Sequence, residues 1–268
     1  MRFILIVFLT FAIFVGGCGG DVARDYYKKA TKLSKSKKPE DWEKAIAKFE
    51  DIINLKIESY EYIHHLHKKM GNYLRNKGFW NKAVHHYKKA LELQPNDYKV
   101  HYSLGICYAN LGRTQEAYLE KAIEEYYVAI KISPSFEMPY LGLGIIYFFK
   151  KGMHKKGIDC LEKAISLEPE FIDAYVTLGK CYYETGNLEK AAASYQKAIK
   201  RSPPRIKVVA NYYNNLGIVY QTMGDKKQAI DCFQKSLKIN PNNQIAIKGL
   251  KELGIKVYDR FKIKGFAK

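Results

Sequence analysis

Histidines form the densest group of side chains in this sequence that could do chemistry. Six of the seven lie between residues 64 and 101: His64, His65, His67, His85, His86 and His101. His64 and His67 are one helical turn apart, and His85 and His86 fall on the next predicted helix, so nitrogens from facing helices could converge on a metal ion at about 2.1 Å. Alternatively, His67 and His101 fill the aromatic position of a repeated pattern and the others are solvated. No group that would orient such ligands is evident, so we predict no metal site and no cofactor.

The cysteines after residue 100 fall into two equivalent pairs. Cys107 and Cys181 each lie three residues after a repeated Leu, and Cys160 and Cys232 each precede the large apolar residue of a second pattern. Equivalent positions in a repeat predict equivalent packing, so we expect small buried core residues. A bridge between Cys160 and Cys181 stays open as an alternative and would require Cα atoms within about 7 Å.

Signatures of catalysis are missing from the sequence. It contains no Gly-rich phosphate loop, no nucleophile elbow and no zinc-type cysteine pairs, and its carboxylates are not spaced as an acid–base constellation. We therefore predict that the chain has no catalytic residues and is not an enzyme.

The first eighteen residues have the features of an export signal. Arg2 precedes an apolar run over residues 3–15, which is shorter than the about 20 residues of a membrane-spanning helix. The run ends in Val15-Gly16-Gly17-Cys18, which resembles the lipobox of bacterial lipoproteins. The resemblance implies a signal peptide over 1–17, cleavage before Cys18 and acylation of Cys18. We accordingly expect a cell-envelope protein, lipid-anchored to a bacterial membrane at its periplasmic face or at the cell surface. An uncleaved N-terminal anchor and a plain secretory signal are the alternatives.

The net charge of +18 bears on possible partners. It would suggest nucleic acid in a cytosolic protein, but the export signal argues against that partner. Within Lys28–Lys38 lie six lysines and no acidic residue. This segment could adsorb to anionic lipid close behind the anchor, or its lysines could simply be solvated.

A repeated pattern dominates the rest of the chain. An aromatic residue or histidine is followed at helical spacing by an apolar residue, Gly and usually Tyr, so that these side chains share one helix face. The copies are His67-x-x-Met70-Gly71-x-x-Leu74, His101-x-x-Leu104-Gly105-x-x-Tyr108, Tyr140-x-x-Leu143-Gly144-x-x-Tyr147, Tyr175-x-x-Leu178-Gly179-x-x-Tyr182 and Tyr213-x-x-Leu216-Gly217-x-x-Tyr220.

Each copy is followed by a second predicted helix that ends at a proline. One example consists of Ala191, Tyr195, Ala198 and Pro203. The copy at 137–171 differs, because it has Gly157 and Leu161 where three copies have Ala and Tyr and one copy has Ala and Phe. Small residues on both helices predict a close approach, and the proline restricts continuation of the helix.

These two patterns resemble the tetratricopeptide repeat family. The resemblance implies an all-α, right-handed superhelical solenoid of helix-turn-helix repeats with a C-terminal capping helix. The predicted segments are a lipidated tether with a degenerate first repeat at 18–63, five repeats at 64–97, 98–136, 137–171, 172–209 and 210–243, and the capping helix at 244–268. Extra residues after Gly112 and after Pro203 predict a longer second helix and a longer first helix, respectively.

The resemblance implies a protein-interaction scaffold that binds a peptide or helix in a groove lined by the first helix of each repeat, in assembly of an envelope complex. The alternative is a transport accessory that holds a small apolar or amphipathic ligand. The predicted groove residues are Tyr102, Ile106, Met138, Leu141, Ile145, Phe148, Phe149, Val176 and Tyr183, with polar rims at Lys68, Asn72, Arg75, Asn211, Asn214 and Gln221. These apolar side chains could instead pack on one another or on a terminal segment.

Overall fold

The structure, a computed structural model, describes residues 28–51, 57–203 and 207–255. They form helices joined by short turns, and no β-strand occurs among them. Helical residues 28–34 are followed by α1 (Pro39–Asp51), α2 (Ile57–Asn76), α3 (Trp80–Leu93), α4 (Tyr98–Leu111), α5 (Ala117–Ile132), α6 (Met138–Phe149), α7 (His154–Leu167), α8 (Ile172–Glu184), α9 (Leu188–Arg201), α10 (Lys207–Thr222), α11 (Lys226–Ile239) and α12 (Gln244–Glu252).

The helices pack in consecutive pairs. The pairs are α2 with α3, α4 with α5, α6 with α7, α8 with α9, and α10 with α11. Because each pair is joined by a short turn, its two helices run antiparallel. The predicted all-α architecture of helix-turn-helix repeats is therefore confirmed.

An aromatic ring over a glycine holds most pairs together. A Cβ atom on Gly105 would lie 2.5 Å from Cε1 of Tyr126, and one on Gly179 would lie 3.0 Å from Cε1 of Tyr195. Tyr87 covers Gly71 and Phe233 covers Gly217 in the same way. The glycine of the first helix is thus the socket for the aromatic ring of the second, which explains the spacing of both patterns.

The extra residues of the sequence lengthen helices less than expected. α5 has 16 residues, two more than α3, but it begins only at Ala117, and the preceding residues extend the turn after Gly112. α10 also has 16 residues and begins at Lys207, compared with 12 residues in α6. The expected longer first helix is therefore present, and the insertion after Gly112 mainly lengthens a turn.

The chain divides into two compact units, unit 1 (Met1–Ile132) and unit 2 (Ser133–Lys268). Unit 1 contains a core cluster of Ala30, Trp42, Ala45, Ile46, Ile63, Leu66 and Met70. In unit 2, α12 packs against α10 and α11, so that Phe233 lies between Gly217 and Gly249. Within the described ranges, no helix has both the length and the apolar character that crossing a membrane requires.

Candidate binding surface

The predicted groove residues of unit 1 lie on α4. Tyr102 and Ile106 are half-buried, and the Tyr102 ring lies 5.9 Å from the ring of Tyr126 between centroids. Polar groups lie on the same helix and on α2, where Arg75 Nη1 donates to Ser103 Oγ at 3.3 Å. Unit 1 therefore presents a mixed rather than an apolar surface at these positions.

The predicted groove residues of unit 2 lie on the neighbouring first helices α6 and α8. Ile145 is 39% exposed, and the remaining accessible positions, which are Met138, Leu141, Phe149, Val176 and Tyr183, are half-buried. Leu141, Phe149, Val176 and Tyr183 also pack against the core of unit 2 from its outside. We call Leu141, Ile145, Phe149, Val176 and Tyr183 the apolar stripe.

Phe148 was expected in the groove, but the structure buries it. Its side chain is 3% exposed and belongs to the core of unit 2. The physical reason is Gly157 on α7: a Cβ atom there would lie 2.7 Å from Cβ and 2.8 Å from the backbone nitrogen of Phe148, so the glycine lets the backbone of α6 approach α7 closely and position 148 faces inward. The Phe148 ring then packs against Phe149 and His154, with centroid distances of 4.7 and 4.5 Å.

Polar groups border the apolar stripe. Lys180 Nζ lies 4.8 Å from the centroid of the Phe149 ring, which links α8 to α6. The hydroxyl of Tyr183 is 3.4 Å from Thr222 Oγ1 on α10. An ammonium group over an aromatic face is stabilised by the ring quadrupole, so this edge of the stripe is both apolar and cationic.

The expected polar rim on α10 is only partly accessible. Gln221 Nε2 donates to Glu252 Oε2 at 3.1 Å, at the surface. Asn214, in contrast, is fully buried, and within the described residues neither its amide nitrogen nor its oxygen has a hydrogen-bond partner. Asn214 is therefore a buried polar residue and not part of a rim.

Two of the histidines, His64 and His67, have side-chain hydrogen-bond partners on other elements. His64 Nε2 lies 3.1 Å from Asp97 Oδ2, and Lys68 Nζ lies 2.6 Å from the same oxygen. Burial raises the pKa of Asp97, but these two partners outweigh it and hold the pKa far below its usual range. His67 contacts His86 through their Nδ1 atoms at 3.0 Å. In the ranges that the structure describes, no three side chains of His, Cys, Asp or Glu are placed to hold a metal ion.

The four cysteines of the described chain are free thiols. Burial raises the pKa of Cys107 and Cys181 to about 12 and that of Cys232 to about 11. Because the thiolate is the reactive form, these side chains are inert core residues at neutral pH. The alternative bridge between Cys160 and Cys181 is not formed. Cys18 lies outside the described residues.

Comparison with protein families gives matches along both units. Models of the tetratricopeptide repeat match residues 139–171, 172–205 and 210–243, and a model of the TPR repeat matches residues 71–112. Together these matches cover more than half of the chain.

Among curated proteins, the human protein O-mannosyl-transferase TMTC3 is 25% identical over 192 residues, which are 68% of this chain and 20% of TMTC3. Anaphase-promoting complex subunit 3 of Schizosaccharomyces pombe is 35% identical over 97 residues, which are 35% of this chain and 14% of that protein. The chain thus spans about a fifth or less of the length of these curated relatives.

Solved structures share the fold. A crystal structure of MamA superposes with a TM-score of 0.54 at 29% identity and covers 64% of this chain and 94% of MamA. BtubC from P. vanneervenii has a TM-score of 0.63 at 17% identity and covers 81% of this chain and 91% of BtubC. The predicted tetratricopeptide solenoid fold is thereby confirmed.

Proposed function

We propose that this chain, which belongs to the tetratricopeptide repeat family, is a non-catalytic scaffold that binds a segment of another protein on the apolar stripe of unit 2. The observation that carries the proposal is the accessibility of large apolar side chains on two neighbouring first helices, with Ile145 39% exposed at their centre. Clustered apolar side chains with a polar border are typical of interaction sites.

The chemistry of the stripe favours one kind of occupant. Leu141, Ile145 and Phe149 are four residues apart on α6, so they offer one row of contacts along the helix. Lys180 at the edge and the net charge of +18 favour acidic residues beside the apolar ones. The occupant is therefore an amphipathic helix or peptide that carries acidic residues next to its apolar face.

The proposed location rests on the resemblance of the first eighteen residues to a lipoprotein signal. In this proposal Cys18 is acylated after cleavage of residues 1–17, and the repeats are held at a bacterial envelope membrane, where they help to assemble a protein complex. Several acyl chains together give stable anchoring, at about 0.8 kcal/mol per buried CH₂ group.

Site-specific photocrosslinking in intact cells tests the binding surface. A photoreactive residue in place of Ile145 or Tyr183 should give a protein adduct. The matched position is Ile245 on α12, which is also in unit 2 and 51% exposed, and it should give none. A peptide covering the crosslinked segment should then bind the purified protein, and Ile145→Glu should weaken this binding at least about tenfold, or about 1.4 kcal/mol, without lowering the melting temperature.

Two results would overturn this assignment. Equal crosslinking from position 245 would show that the stripe is not selective. Unchanged peptide affinity in Ile145→Glu would place the binding elsewhere. An acyl chain or other small amphipathic molecule crosslinked at position 145, with no protein adduct, would favour a transport accessory instead.

A further inference from the structure

The first described helix has one buried and one basic side. Ala30 is fully buried, and Leu33 packs against the core cluster of unit 1 that contains Trp42. Lys28 and Lys32 are exposed on this helix, and exposed Lys35 directly follows its last residue; their spacings of four and three residues place them on one side. The buried side therefore fixes which way the lysines point.

The turn after this helix is held in place by four hydrogen bonds. Trp42 Nε1 donates to Ser36 O at 2.7 Å, and Lys69 Nζ donates to Ser34 O and Ser36 O at 3.2 and 3.3 Å. Ser36 Oγ donates to Asp41 Oδ2 at 2.6 Å, so this nearby carboxylate already has a partner within the chain. The turn is thus tied to α1 and α2.

The same turn presents two further exposed lysines, Lys37 and Lys38. Together with the three lysines named above they form what we call the basic face: Lys28, Lys32, Lys35, Lys37 and Lys38. None of these five makes an ion pair with another residue of the described chain. The exposed acids Glu40 and Glu43 follow on α1. The basic face therefore combines five lysines that have no ion-pair partner among the described residues with a turn that is hydrogen-bonded to α1 and α2.

We propose that the basic face adsorbs to the anionic headgroups of a membrane and so orients unit 1 on the lipid surface. This inference rests on the membrane location proposed above, whereas the affinity of the basic face for anionic lipid does not itself require acylation. Only nine residues lie between Cys18 and Lys28, so in an anchored chain Lys28, the first lysine of the basic face, stays within about 36 Å of the bilayer. A tether of this length gives even a weak electrostatic contact a high effective concentration.

The expected strength follows from the number of lysines. Each lysine near an anionic surface raises partitioning roughly fivefold, and the attraction decays within a Debye length. Replacing three of the five should lower partitioning by roughly 100-fold. The contact should also weaken steeply with salt, because screening shortens the Debye length from about 10 Å at 0.1 M to about 3 Å at 1 M.

Vesicle flotation of unacylated protein separates this proposal from acylation. The protein consists of residues 18–268 with Cys18→Ser, and it contains every residue that the structure describes. The vesicles contain three parts phosphatidylcholine to one part phosphatidylglycerol, with pure phosphatidylcholine as the neutral comparison. The test variant carries Lys28→Gln, Lys32→Gln and Lys35→Gln, and the control variant carries Lys226→Gln, Lys227→Gln and Lys251→Gln, which removes the same charge from exposed positions in unit 2.

We expect salt-sensitive flotation with anionic vesicles only, which the test variant loses and the control variant keeps. Equal losses in the two variants would show that net charge alone is responsible and would overturn the proposal. Absence of flotation of the parent protein with anionic vesicles would overturn it too. Matching thermal melts of the three proteins establish that folding is not the cause.

Discussion

Acidification from pH 7 to pH 5 should loosen the pairing of α2 and α3. The Nδ1 atoms of His67 and His86 lie 3.0 Å apart, and a hydrogen bond between two imidazole nitrogens needs one donor and one lone pair. Full protonation of both rings removes the acceptor and places two positive charges in contact. Burial, followed by the charges of neighbouring residues, lowers the pKa of each ring from 6.5 to about 4.

The sign and size of the effect follow from linkage. Because the folded state binds fewer protons than the unfolded state, stability is lost as pH falls from 6.5 toward 4. One histidine with these pKa values would lose about 1.8 kcal/mol of unfolding free energy between pH 7 and pH 5. The two rings are coupled and only partly buried, so we expect roughly 2 kcal/mol for the pair rather than twice the single value.

His101 has the opposite effect on the pH dependence of stability. Its Nδ1 lies 2.7 Å from Glu125 Oε2 and its Nε2 lies 2.9 Å from Pro95 O, so both ring nitrogens face acceptors and must donate. Burial lowers the pKa of His101, but these two partners outweigh it and raise the pKa overall. The stabilisation from His101 is complete below pH 6.5 and is lost as pH rises through its folded-state pKa.

Urea unfolding at half-unit pH steps between 7 and 5 measures the effect of the pair. The double variant His67→Asn with His86→Asn keeps amide groups that can form a hydrogen bond but cannot titrate, so its stability should vary less with pH. His101 is common to both proteins, and most carboxylates titrate below this window. The reasoning is refuted if the parent and the double variant lose the same free energy over this range.

Three further outcomes are expected. Gly179→Leu should lower the unfolding free energy by about 1–3 kcal/mol, because even a Cβ atom would touch the Tyr195 ring at 3.0 Å. Gly179→Ala should be much milder, and equal urea midpoints for Gly179→Leu and the parent would contradict the helix register. Asn214→Leu should stabilise the fold by about 1–2 kcal/mol, because it removes a buried amide that has no hydrogen-bond partner among the described residues. A lower melting temperature of this variant would contradict the prediction. Cys18→Ser should leave the protein uncleaved or soluble after detergent phase separation, and continued acylation would rule out the lipobox.

The fold was predictable because its main contacts recur at constant spacing. Gly105 contacts Tyr126 and Gly179 contacts Tyr195, each pair across one turn. The same residue types therefore recur at similar spacing in successive repeats of the sequence. Helical periodicity then indicates which faces pack, and repetition separates the pattern from chance.

The site residues were less predictable, because their placement depends on contacts between particular partners. Phe148 has the helical position of a groove residue, but Gly157 on another helix lets the backbone at position 148 approach so closely that the Phe148 side chain is buried. His64 and Asp97 are 33 residues apart, and no spacing rule indicates that they meet at 3.1 Å. The apolar stripe and Cys18 stay predictions until the crosslinking and acylation experiments are done.

The contact between α6 and α7 limits the order in which this chain could evolve. A Cβ atom on Gly144 would lie 2.7 Å from Leu161 Cγ and 3.1 Å from the carbonyl oxygen of Gly157, so the two backbones nearly touch. Gly157→Ala is therefore harmful whatever side chain stands at position 148, because the added Cβ atom would lie 2.7 Å from the Cβ atom and 2.8 Å from the backbone nitrogen of that residue. A return of this pair to the alanine and aromatic ring found in the other pairs would therefore require the two backbones to move apart before position 157 could gain a side chain.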